Sequence, residues 1–89
     1  MSLYTILIVD DDAIVRESIG ALLEADDRRL FSTGSGQEAL DLSAKLLPDV
    51  ILLDVMMPHM DGYEVAQRLR ANPTLAEVPI LMITALDDR

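Results

Sequence analysis

Val50-Ile51-Leu52-Leu53-Asp54-Val55-Met56-Met57-Pro58-His59-Met60-Asp61-Gly62-Tyr63-Glu64 is the stretch that decides the fold. Its first four residues are apolar without interruption, the pattern of a strand buried on both faces. The run stops at a carboxylate, Asp54. A loop stiffened by Pro58 follows. Asp61 with Glu64 three residues on has the spacing of a capping box, so a helix opens at Gly62. Gly62 is small enough for that helix to start close to the sheet.

The same alternation extends in both directions. Upstream, Gln37–Leu46 reads as a helix with Ala39, Leu40, Leu42 and Leu46 apolar, ended by Leu47-Pro48-Asp49. Leu30–Thr33 is a short, weaker strand suited to a sheet edge, and Asp26-Asp27-Arg28-Arg29 before it is a polar turn. Ala13–Glu24 carries Ile14, Ile19, Leu22 and Leu23 at helical spacing, with Asp12 where an N-cap is wanted. Tyr4–Val9 is a second strand of the doubly buried kind. Downstream, Gly62–Ala71 turns Val65, Ala66 and Leu69 inward. Asn72-Pro73 breaks it, and Ile80–Ile83 is a last strand. Strands alternating with helices imply an α/β fold, a parallel sheet with helices on its faces. There is no internal repeat, low-complexity tract or linker, so residues 1–89 form one domain. The outer edge of Ile80–Ile83 is left bare, which invites self-association by strand pairing.

Three of the apolar runs end in oxygen-bearing side chains. Ile6–Val9 ends at Asp10-Asp11-Asp12, Val50–Leu53 at Asp54, and Ile80–Ile83 at Thr84. If these strands are neighbours, acids and a hydroxyl collect at the sheet edge where α/β folds bind ligands. A carboxylate at such an edge can attack phosphorus and form an acyl phosphate, which is the role expected of Asp54. Asp10 and Asp11 beside it would repel it unless a cation screens them. Mg2+ suits an all-oxygen set of carboxylates, waters and a phosphate oxygen. The Thr84 hydroxyl, next to small Ala85, can donate to a phosphoryl oxygen. An acid after a strand is most often a turn or cap residue, and capping accounts for Asp12 in full. The conjunction of three strand ends distinguishes the others.

Composition narrows the partners. A formal net charge of -9 disfavours nucleic acid and acidic membrane surfaces. Hydrophobic residues make up 51% and aromatics 3%, so the core is built from Leu, Ile, Val and Met. The absence of cysteine excludes disulfides and thiolate metal sites and suits a cytoplasmic location. No apolar stretch has the length of a membrane span, and Met1-Ser2-Leu3 lacks the start of a signal peptide.

The segment from Asp54 through Met57-Pro58 to Met60-Asp61-Gly62 resembles the phosphoacceptor segment of response-regulator receiver domains, the CheY-like family of two-component signalling. Ile6–Asp11 is similar to the family's first strand with its acidic pair, and Pro79–Ala85 to its fourth strand with the switch threonine. The resemblance implies a flavodoxin-like, doubly wound parallel sheet of order 2-1-3-4. It implies that Asp54 accepts phosphate from a histidine kinase or a phosphotransfer protein. It further implies that Mg2+ is held by Asp10, Asp11 (more directly), Asp54 and the Met56 carbonyl. Thr84 would then turn toward the phosphoryl group and signal to an output domain or partner. The family's lysine after a fifth strand has no counterpart here, nor do that strand and the last two helices. The only lysine, Lys45, reads as a surface residue on the second helix. The domain is therefore expected to be the N-terminal part of a receiver, a self-phosphorylating module rather than a turnover enzyme.

Rival readings exist. Gly34-Ser35-Gly36-Gln37-Glu38-Ala39 fits a dinucleotide fingerprint, but a lone glycine pattern is weak and Ser35 with Glu38 is already a capping box. Asp10-Asp11-Asp12 contains the D-x-D of an aspartyl-phosphate phosphatase, a chemistry that also needs a lysine and later acids. A degenerate receiver that binds partners without phosphorylation is the third. His59 reads as a solvated loop residue, Met56, Met57, Met60 and Met82 as packing residues, and Asp87-Asp88-Arg89 as a helix start. Arg16 reads as a helix residue facing water.

Overall fold

Strand and helix alternate throughout residues 3–83, which are the residues the computed structural model describes. The elements are β1 (Tyr4–Val9), α1 (Ala13–Leu23), β2 (Arg28–Thr33), α2 (Gly36–Leu46), β3 (Val50–Asp54), α3 (Gly62–Ala71) and β4 (Ile80–Ile83). Thr84, Ala85 and Asp87-Asp88-Arg89, named above, lie outside the described residues. The four strands are parallel and lie in the order β2-β1-β3-β4, as expected from the sequence.

Leu7, Val9, Ile51 and Leu53 point to one face of the sheet and are fully buried there with Ala39 of α2 and Val65 and Leu69 of α3. The alternation of side chains along a strand sends Ile6 and Ile8 to the opposite face. Both are buried as well, which explains why β1 reads as unbroken apolar sequence. Leu75, 2% exposed, plugs the core from the connection between α3 and β4. Arg70 ties that connection down by donating to the carbonyls of Ala76 (2.8 Å) and Val78 (2.9 Å).

Local chemistry sets the ends of the helices. Asp12 caps α1, its carboxylate accepting from the Ile14 and Val15 N–H groups. Ser35 accepts from Glu38 N–H at 3.0 Å and Asp61 from Glu64 N–H at 2.9 Å. Neither capping box is reciprocal. Glu38 accepts from the Thr33 hydroxyl instead, and Glu64 pairs with Arg68 at 2.8 Å. Leu47 ends α2 in the left-handed region (φ 49°), its N–H donating to Ser43 O. Asp49 then braces β1: its carboxylate accepts from Thr5 N–H (2.7 Å) and its own N–H donates to Thr5 O (2.8 Å).

Two expectations, for β2 and for Met56, need correction, and α1 is more exposed than the other helices. β2 begins at Arg28, not Leu30, because parallel pairing with β1 from Tyr4 onward draws Arg28 and Arg29 out of the turn. The apolar residues of α1 are not a buried stripe: Ile14 is 74% and Leu22 83% exposed, and no residue of α1 is fully buried. Met56 does not pack in the core but is 69% exposed, whereas Met57 is buried and Met60 and Met82 pack against the core.

Candidate functional site

The register of the sheet builds the site. Val9 of β1 lies opposite Leu53 of β3, so the next residues, Asp10 and Asp54, emerge side by side. Asp10, Asp11 and Asp54 each offer a carboxylate oxygen, and these oxygens all lie within 4.8 Å of one another. They line an open depression of about 260 Å³ together with Asp12, Val15, Met56 and Ile83. Asp10 and Asp54 are each 6% exposed, while Asp11 faces solvent.

Each acid is fixed by its surroundings. Asp10 donates its N–H to Thr33 O (3.1 Å), and its carboxylate accepts from Asp12 N–H (2.9 Å). Asp54 accepts from Met56 N–H at 3.3 Å. Gly62 sets the return of the chain after Asp54, donating its N–H to Val55 O at 2.9 Å. A Cβ at Gly62 would stand 2.2 Å from the Asp54 carbonyl oxygen, so only glycine permits this approach.

The electrostatics follow from crowding. Burial pushes the Asp54 carboxyl above its ordinary 3.8, and the charges of Asp10 and Asp11 push it the same way. The hydrogen bond from Met56 N–H opposes them. Three convergent carboxyl groups, with no basic residue lining the depression among the described residues, form a donor set fit for a small divalent cation. Asp12, spent on the cap of α1, is outside this group.

The structure therefore brings together Asp10, Asp11 and Asp54, as the sequence suggested, and leaves Met56 lining the depression with its side chain exposed. Arg16 departs from expectation. It is half-buried, and its Nη1 donates to the Asp10 carbonyl oxygen at 2.7 Å. Its spacing from Asp10 on a solvent-facing helix offered no sequence signal. Lys45 is exposed in the last turn of α2, as expected. The Gly34–Ala39 pattern has a packing explanation: a Cβ at Gly36 would stand 2.8 Å from Val65 Cγ2, so this glycine lets α2 sit against α3.

Known proteins match this arrangement. The model of the response regulator receiver domain family matches residues 6–89. The response regulator PleD of Caulobacter vibrioides is 44% identical over 84 residues, covering 94% of this chain and 18% of PleD. The response regulator MprA of Mycolicibacterium vanbaalenii is 48% identical over 82 residues, covering 92% of this chain and 35% of MprA. The chain thus spans well under half the length of these relatives. Among solved structures, the N-terminal domain of a response regulator receiver protein from Methanoculleus marisnigri superimposes with a TM-score of 0.89 at 39% identity, covering 99% of this chain and 72% of that one. The chemotaxis protein CheY4 of Vibrio cholerae gives 0.89 at 31% identity, covering 98% and 72%. With its strand order, its acidic edge and its sequence all in agreement, the chain belongs to the response regulator receiver domain family of two-component signalling.

Proposed function

We propose that this domain accepts a phosphoryl group on Asp54 from the phosphohistidine of a sensor histidine kinase or a phosphotransfer protein. The convergence of the Asp10, Asp11 and Asp54 carboxylates at one sheet edge carries the reading. An Asp54 carboxylate oxygen attacks phosphorus, the P–N bond to the donor imidazole breaks, and an acyl phosphate forms. The depression admits the donor from solvent while the sheet holds Asp54 still. Asp10, Asp11, Asp54 and the Met56 carbonyl are the groups that would hold Mg2+. When bound, Mg2+ neutralises the acids and screens the incoming phosphoryl charge. Thr84 donates its hydroxyl to the phosphoryl group, and its reorientation passes the change to an output domain or partner. The domain promotes its own modification once per chain and is not a turnover enzyme. Its place is the cytoplasm, and it binds neither nucleic acid nor membrane directly. A second copy of the chain is a further partner, through the outer edge of β4, which is unpaired among the described residues.

Incubation with a small phosphodonor and Mg2+, read by mass spectrometry, tests this. One added phosphoryl group is expected on the parent and none on Asp54→Asn or with a chelator present. Equal labelling of Asp54→Asn overturns the assignment. Repeated release of phosphate from a generic ester would favour the phosphatase, and a folded, unlabelled parent the phosphorylation-independent receiver.

A further inference from the structure

Arg16 is placed by geometry rather than by charge. The chain carries sixteen acidic residues, yet among the described residues Arg16 forms no ion pair. Its guanidinium turns back from α1 and donates to a main-chain carbonyl, that of Asp10. Gly34 makes room for it. A Cβ at position 34 would stand 2.7 Å from Arg16 Nη1, 3.5 Å from its Cζ and 3.6 Å from the Asp10 carbonyl oxygen. The guanidinium thus occupies the space that any side chain at 34 would take, between the ends of β1 and β2.

The bond completes the fixing of Asp10. Its N–H is held by Thr33 O, one carboxylate oxygen by Asp12 N–H, and its carbonyl by Arg16. Without Arg16 the carbonyl loses its partner at the point where three like charges push apart. The β1–α1 loop that carries Asp10 and Asp11 is then free to relax away from Asp54. Groups that orient metal ligands without touching the metal commonly change affinity about 10–100-fold when removed.

We infer that Arg16, seated in the slot left by Gly34, is a positioning residue for the cation site, holding the Asp10 main chain so that the Asp10 and Asp11 carboxylates stay aimed at Asp54. The inference rests on the proposed Mg2+-dependent phosphoacceptor function.

Calorimetric titration of the chain with Mg2+ tests it. Arg16→Ala is expected to weaken Mg2+ binding by about tenfold. Gly34→Ala keeps the arginine but evicts its guanidinium, and the same loss is expected. Gly34 does not have a positive φ, so alanine brings no backbone strain there. The double variant should bind no more weakly than the poorer single one, because both act through one contact. Arg16→Lys, which retains one donor and the charge, should recover part of the affinity. Should Arg16→Ala fail to fold by circular dichroism, Gly34→Ala and Arg16→Lys decide the matter. The inference is overturned if folded single variants bind Mg2+ as tightly as the parent while melting lower, or if the losses multiply in the double variant. A parent that does not bind Mg2+ overturns this inference and the proposed function together.

Discussion

Asp54 is held where a carboxylate is uncomfortable. It is nearly buried, and Asp10 and Asp11 face it, so its pKa lies above the ordinary 3.8. Between 3.8 and the raised value the folded state binds more protons than the unfolded chain. Asp54 therefore contributes a loss of stability that begins as pH rises through 3.8 and persists in full above the raised pKa. Asp54→Asn removes this penalty. In metal-free buffer the variant is expected to melt with the parent in acid and above it at neutral pH, with the gap narrowing when Mg2+ is added to the parent. Thermal melts across pH check this, and a parent at least as stable as the variant at neutral pH without metal would contradict it. Asp10, Asp11 and Asp54 were legible in the sequence because the apolar runs Ile6–Val9 and Val50–Leu53 end at them. Arg16 and Met56 were not. Arg16 turns back only because residue 34 has no side chain, and Met56 is exposed because the loop after Asp54 points its neighbour Met57 inward instead.

Elements were legible where their signals are local. α3 and β4 have the limits read from sequence, since Asp61 caps the helix, Asn72 and Pro73 end it, and four apolar residues make the strand. The start of β2 was hidden, because Arg28 and Arg29 look like turn residues and extend only by pairing with Tyr4 and Thr5. The exposure of α1 was hidden as well. Periodicity shows that a helix has an apolar side but not whether anything lies against it. The junction of β3 and α3 is tightly closed at Gly62. Gly62→Ala must force a methyl group into the Asp54 carbonyl and the Val55 Cα, which are main-chain atoms that cannot swing aside. Overpacking of this kind costs about 3 kcal/mol. Urea denaturation should show that loss, and Mg2+ binding should weaken with it because Asp54 is displaced. An unchanged midpoint would mean that α3 is not seated as described.

At the scale of the whole molecule, net charge and sheet edge oppose each other. A charge of -9 keeps copies apart, while β4 presents an unpaired outer edge among the described residues, with Leu81 60% exposed. Light scattering is expected to show mass rising with protein concentration, and more so at high salt, where repulsion is screened. Leu81→Lys should suppress the rise, and a monomer under all conditions would count against strand pairing between copies. The sequence by itself determined the order of elements, the parallel sheet and the acids at which its apolar runs end. Those features follow from hydrophobic runs, caps and breakers, which act between residues close along the chain. Only the tertiary structure decided which acids share a pocket, what holds them and which apolar faces stay bare. Those depend on register, as in Val9 against Leu53, and on space, as at Gly34 and Gly62, where distant segments meet and the fit of one decides the place of the other.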